Sequence, residues 1–136
     1  MPGETQSRAD VLRAAVDAYF AAIAARDPQR IALVFAAECE LEDPVGTPVR
    51  HGRDAVAAMF ASGVAALATH AEIHTLAAFP SGDSIAAHWT MIARGKRGRE
   101  IEAEGIDVLQ VDEGGFIVRA EGYWNAAAFR QALAAS

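Results

Sequence analysis

Between Ala71 and Trp124 the hydrophobic pattern of the chain repeats every second residue, interrupted by three short clusters of turn-forming residues. Period two sends alternate side chains to opposite faces of a strand, so this stretch folds as long antiparallel strands with one face that must be covered. The strands read as Ala71 to Leu76, Ile85 to Ala93, Glu100 to Val111 and Phe116 to Trp124. Their turns fall at Pro80-Ser81-Gly82-Asp83, Gly95-Lys96-Arg97-Gly98 and Asp112-Glu113-Gly114-Gly115.

The cover comes from the preceding residues, where the period changes. Leu12, Val16, Tyr19 and Ile23 recur at helical spacing from about Ala9 to Arg26, which places Tyr19 on a buried stripe, and Asp27-Pro28 ends that helix. Asp27 can cap a second helix with Pro28 in its first turn, running through Ile31, Leu33, Val34 and Phe35. Cys39 to Asp43 alternates and stops at Pro44, a short edge strand with Asp43 at its end. Gly52-Arg53-Asp54 leads into a third helix carrying Val56, Met59, Phe60 and Val64 and fading near Thr69, and a short C-terminal helix presents Phe129 and Leu133 on one side. The expected class is α+β: a curved, mostly antiparallel sheet wrapped around three N-terminal helices.

A chain of 136 residues suits one domain with one core, here spanning residues 1–136, and 52% hydrophobic against 22% charged residues is ordinary globular usage. A net charge of −6 argues against a nucleic-acid partner, which needs a surplus of cations, and favours a small hydrophobic ligand. The apolar run from Ala55 to Thr69 is shorter than the roughly 18 residues that span a bilayer, so no membrane span is expected. Cys39 is the one cysteine and the first residues lack the pattern of a secretory signal, from which a cytoplasmic location is expected. Cys39 itself reads as a small buried hydrophobe.

Strand parity then picks out chemistry. The odd positions from Ile101 to Val111 form an apolar face on which Asp107 is the one acid. A carboxyl there must find hydrogen-bond partners or remain protonated, so Asp107 serves either structure or catalysis. Trp89 and Met91 share one inward side; Phe116, Val118, Ala120 and Trp124 share another. Small residues at Ala103, Gly105 and Ala120 beside the two tryptophans leave room for a flat hydrophobic ligand. Ile106 and Val108 on the outer face suggest a homodimer interface.

Four segments carry a resemblance: Ala18-Tyr19-Phe20 with Arg26-Asp27; Leu41-Glu42-Asp43-Pro44-Val45-Gly46 with His51-Gly52-Arg53; Gly105-Ile106-Asp107-Val108; and Gly122-Tyr123-Trp124. In these the chain resembles the bacterial Δ5-3-ketosteroid isomerases of the NTF2-like, SnoaL-like superfamily. The resemblance implies a cone-shaped domain in which Asp43 moves a proton from C4 to C6 of a 3-oxo-Δ5-steroid, with Tyr19 and a protonated Asp107 donating to the C3 oxygen. It implies no metal or organic cofactor. The expected substrate-binding residues are Ile23, Phe60, Trp89, Met91, Gly105, Ala120 and Trp124. The chain departs from the fuller pattern of the family at Phe35 and Phe60, where some members carry tyrosines within reach of the catalytic one.

Other features have plainer readings. Glu42 is adjacent to Asp43 but on the opposite strand face, so the two do not form a dyad. His70 and His74 share a face without the companions a metal site requires. Arg94, Lys96, Arg97 and Arg99 gather at a hairpin tip, either a solvated turn or a contact for an anionic substrate tail. The competing functions are a non-catalytic carrier of hydrophobic ligands and an epoxide hydrolase. The latter uses an Asp-Arg-Asp relay, and no arginine is expected on the inward positions near Trp89 and Met91.

Overall fold

The computed structural model describes residues 6–136. Helix α1 (Arg8–Ala24) opens where the Ser7 hydroxyl accepts from the Asp10 amide at 3.1 Å, and it buries Leu12, Val16, Tyr19 and Ile23 as the spacing requires. Asp27 caps α2 (Pro28–Leu33) by accepting from the amides of Gln29 and Arg30 at 3.1 and 3.2 Å. This helix is shorter than its apolar run suggests. Leu33 points to solvent, and Phe35 opens strand β1 (Phe35–Glu42), four residues ahead of the expected start at Cys39. The short apolar run over residues 31–37 suits a helix or a strand equally, and pairing of Phe35 with Ile117 decides in favour of the strand.

A two-residue strand β2 (Arg50–His51) pairs with β1 and precedes α3 (Arg53–Ser62) and the single turn α4 (Val64–Leu67). The long strands follow: β3 (Ala68–Ser81), β4 (Ser84–Gly95), β5 (Glu100–Val111) and β6 (Ile117–Tyr123), then α5 (Ala126–Ala134). They form one curved six-stranded sheet in the order β2-β1-β6-β5-β4-β3, antiparallel except where β1 runs parallel to β6. The α+β class, the curved sheet and the short C-terminal helix match the sequence-based expectation. Helix α1 packs across β3 and β4, and α5 lies against β4 and β5, so the concave face is closed from two sides.

The parity expected for β6 holds only in part. Gln110 pairs with Arg119 but Val111 pairs with Ile117, so Val118 is an extra residue in a β-bulge. Past the bulge the faces exchange: Ile117 is buried and Phe116 is 43% exposed, while Ala120, Gly122 and Trp124 keep the inward side that alternation demands. A second bulge between Thr75 and Ala77 leaves Leu76 exposed. Among the described residues no helix is long and apolar enough to cross a membrane.

Candidate functional site

The concave side of the sheet holds a cavity of about 370 Å³. Its walls include Ile23, Phe60, Trp89, Met91 and Trp124, together with Phe20, Met59, Leu67 and Phe129. Asp43 and Asp107 line the same cavity.

Asp107 is brought there by β5. Its neighbours in register are Ala87 on β4 and Gly122 on β6, both without bulk, which leaves the carboxyl room above the sheet. Only 5% of Asp107 is exposed, and the Trp89 indole Nε1–H donates to its Oδ1 at 3.0 Å. Burial, followed by the nearby Asp43 charge, pushes this carboxyl well above the usual carboxylate range, against the smaller opposing effect of the indole. A protonated Asp107 that accepts through Oδ1 keeps its own O–H free to donate.

Asp43 follows β1 and is carried in over β6. The Val45 amide donates to the Gly122 carbonyl at 2.7 Å, fixing the loop, and a Cβ added at Gly122 would lie 2.7 Å from Asp43 Cγ. Only glycine admits the carboxyl here. Because Gly122 is also the register partner of Asp107, one residue places the two acids side by side. Trp124 Nε1–H donates to Asp43 Oδ1 at 2.6 Å, and the Trp124 ring meets Trp89 edge-on at 5.4 Å. Asp43 keeps a little accessible surface yet is ringed by protein. Burial raises its pKa to about 6, offset in part by the indole bond and the Arg50 charge.

Tyr19 is fully buried, and its hydroxyl is the one buried side-chain polar atom among the described residues without a hydrogen-bond partner. Phe35 and Phe60 stand edge-on to its ring at 5.4 and 6.2 Å, so neither supplies the hydroxyl that a tyrosine would. Burial and then the charges of Asp107 and Asp43 push the phenol well above its ordinary value, which keeps it a donor and places it in electrostatic reach of both acids. Tyr19 lies behind the cavity wall rather than among the residues that line it.

Two expected ligand contacts are not there. Gly105 and Ala120 do not line the cavity. A Cβ at Gly105 would stand 2.7 Å from Trp89 Cζ2 and 2.7 Å from Trp124 Cβ, so the space beneath it is filled by the tryptophans rather than open to a ligand. Gly105→Ala is therefore expected to cost about 1–3 kcal/mol through overpacking, read as a lower midpoint in urea unfolding. Ala120, inward but 1% exposed, is core.

The indole bonds to the two acids were not foreseen, because a donor 18 or 81 residues away from its acceptor leaves no periodic signal. No arginine stands on the inward strand positions near Trp89 and Met91, but Arg50 on β2 and Arg130 on α5 line the cavity from outside those strands. The remaining features keep their plainer readings. Glu42 joins Glu40 and Glu121 around Arg119 on the outer face. Cys39 is buried, which pushes its thiol up. His70 and His74 flank Glu72 at 2.9 and 3.4 Å, and among the described residues no group of three ligands could hold a metal. The Arg94–Arg99 hairpin is exposed, with Arg94 on Glu100 at 3.0 Å, and contributes nothing to the cavity wall.

A curled sheet with a largely apolar hollow and a few converging polar groups defines the class, a cone-shaped domain built around a small-ligand cavity. Within it, the family model of the SnoaL-like domain matches residues 16–120, and the chain belongs to that family. No curated protein matches the chain by sequence. Among solved structures, the Delta 5-3-ketosteroid isomerase from Mycobacterium sp. has a TM-score of 0.73 at 23% identity, over 87% of this chain and 95% of that one. RV0760c from Mycobacterium tuberculosis, in complex with estradiol-17beta-hemisuccinate, has a TM-score of 0.72 at 24% identity, over 86% of this chain and 95% of that one. The epoxide hydrolase/cyclase-like enzyme SalBIII, from pyran ring formation in the polyether salinomycin, has a TM-score of 0.72 at 22% identity, over 85% of this chain and 91% of that one. At these identities the likeness is one of fold.

Proposed function

We propose that the protein is a steroid Δ5–Δ4 isomerase, or an isomerase of a closely related fused-ring enone. The observation that carries the reading is the pairing of unlike acids: Asp43 with a pKa near 6, beside Asp107 held well above its ordinary range, in one apolar cavity. The Tyr19 hydroxyl adds a buried donor with no hydrogen-bond partner among the described residues. A ketosteroid isomerase and an estradiol derivative complex among the proteins of like fold agree with a flat polycyclic ligand.

In the proposed reaction the Asp43 carboxylate removes a C4 proton, and the electrons of the C–H bond move into a dienolate whose charge gathers on the C3 oxygen. Protonated Asp107 donates to that oxygen from the cavity wall, and Tyr19, buried behind that wall, joins it once the wall parts to admit the ligand; donors fixed in a dry site act most strongly where charge develops. Asp43 then returns its proton to C6, leaving the double bond between C4 and C5. Trp124 holds the base and Trp89 holds the acid. The test is to mix the protein with androst-5-ene-3,17-dione and follow conjugated-enone absorbance; absence of turnover would sink the proposal, and binding of an equilenin-like phenol without turnover would favour a carrier.

One observation favours a second reading. Arg50 lies on the cavity and its charge bears on Asp43, which assembles carboxylate, arginine and carboxylate as epoxide hydrolysis would need. Against it, each acid is bonded to an indole rather than to the guanidinium. Incorporation of oxygen from labelled water into the product would mark hydrolysis and none would mark isomerisation. Assembly as a homodimer belongs to the same proposal: Ile106 and its register partner Tyr123 are 44% and 48% exposed on the outer face, and light scattering in solution checks it.

The acids also fix the pH dependence. The base acts ionised, so kcat/KM is expected to rise about tenfold per pH unit below about 6, where Asp43 titrates, and to flatten above it. For stability the sign is opposite. A carboxyl with a raised folded pKa favours folding in its protonated form; that contribution is full below the unfolded pKa and is lost as pH rises through the folded one. For Asp43, moving from 3.8 to about 6, this amounts to about 3 kcal/mol. Asp107 acts in the same direction. Asp107→Asn, neutral at every pH, is expected to raise Tm relative to wild type more at pH 8 than at pH 5, as scanning calorimetry would show.

A further inference from the structure

Arg130 extends from α5 between Phe129 and Leu133 along the chain, and all three line the cavity. Its guanidinium reaches back to the junction of α3 and α4, where Nη2 donates to the Ser62 carbonyl at a long 3.3 Å. Gly63 makes room for it: a Cβ there would stand 3.3 Å from Nη1. Like most arginines of the chain, Arg130 has no carboxylate partner among the described residues; what sets it and Arg50 apart is that they line the cavity. The side chain is exposed, so it stands where the cavity opens to solvent.

The two arginines of the cavity have different surroundings. Arg50 acts electrostatically on Asp43, whereas Arg130 bears on neither acid. A planar fork of N–H donors with one weak carbonyl bond is suited to a carboxylate, which it can hold through two parallel bonds. The rest of the wall holds the Asp43 carboxylate and Arg50, whose charge is directed at that acid, so Arg130 is the cation left to a ligand anion. The anionic-tail contact considered for the Arg94–Arg99 hairpin finds no support there, since that hairpin does not reach the cavity.

We propose that Arg130 docks an anionic tail of the ligand, so that the substrate class is a fused-ring enone bearing a flexible carboxylate side chain. This rests on the isomerase reading for the ring system, but the tail contact is testable apart from it. The probes are 3-oxochol-4-en-24-oic acid and its methyl ester, titrated calorimetrically at pH 8 in low salt. The acid is expected to bind about tenfold tighter than the ester, as a charge-assisted pair at a partly open rim would give. That ratio should fall toward one in Arg130→Met and in 0.5 M salt, and to an intermediate value in Arg130→Lys, which keeps the charge without the fork. A wild-type ratio of one, a ratio that survives Arg130→Met, or no binding of either probe would overturn the inference. If Arg130→Met does not fold, Arg130→Lys, which keeps the charge, supplies the same comparison. Turnover of androst-5-ene-3,17-dione without acid preference would remove the tail contact alone. Acid preference without turnover would remove the isomerase reading and leave the contact in place.

Discussion

Asp43→Asn is expected to lower kcat on a 3-oxo-Δ5-steroid by about 10³–10⁴-fold, near the upper limit of what a positioned general base supplies. The amide keeps the shape of the carboxylate and can still accept the 2.6 Å bond from Trp124, so the fold and the cavity should persist. What it loses is basicity, and nothing else at the site replaces it, because burial pushes both Asp107 and Tyr19 toward their protonated forms. Stopped-flow absorbance of the conjugated enone measures the effect. Equal rates in variant and wild type would remove Asp43 from the role of base.

Tyr19→Phe should move activity and stability in opposite directions. Loss of one donor to a developing oxyanion costs about 10²–10³ in kcat. Yet the hydroxyl of Tyr19 has no hydrogen-bond partner among the described residues, and deleting a buried polar atom that no protein group satisfies is expected to stabilise the fold by about 1–2 kcal/mol. Denaturant unfolding and steady-state kinetics on the same preparation check both halves. A tyrosine that merely filled the core would show no loss of rate, and one bonded within the protein would show a loss of stability.

The sequence disclosed most where a period runs unbroken. Strand β5 pairs on both sides along most of its length, so parity correctly put Asp107 and Leu109 inward, and the stripe through Tyr19 on α1 was read from spacing alone. Reading failed where a period breaks or is too short to register. The bulge at Val118 turned Phe116 outward, and the brief run through Phe35 could not distinguish helix from strand. Gly105 was taken for open space because smallness in one strand does not show what fills it from the next. Arg50 and Arg130 reach the cavity from the two-residue strand β2 and from α5, where no strand period predicts direction.

The geometry around the acids has a spectroscopic corollary. The chain contains two tryptophans, and each donates its indole hydrogen to one of the two cavity carboxyls, Trp89 to Asp107 and Trp124 to Asp43. All indole fluorescence therefore originates within the cavity, with no distant emitter to dilute it. Occupancy of the hollow and proton loss from either acid become visible in the unlabelled protein as changes in emission wavelength and yield.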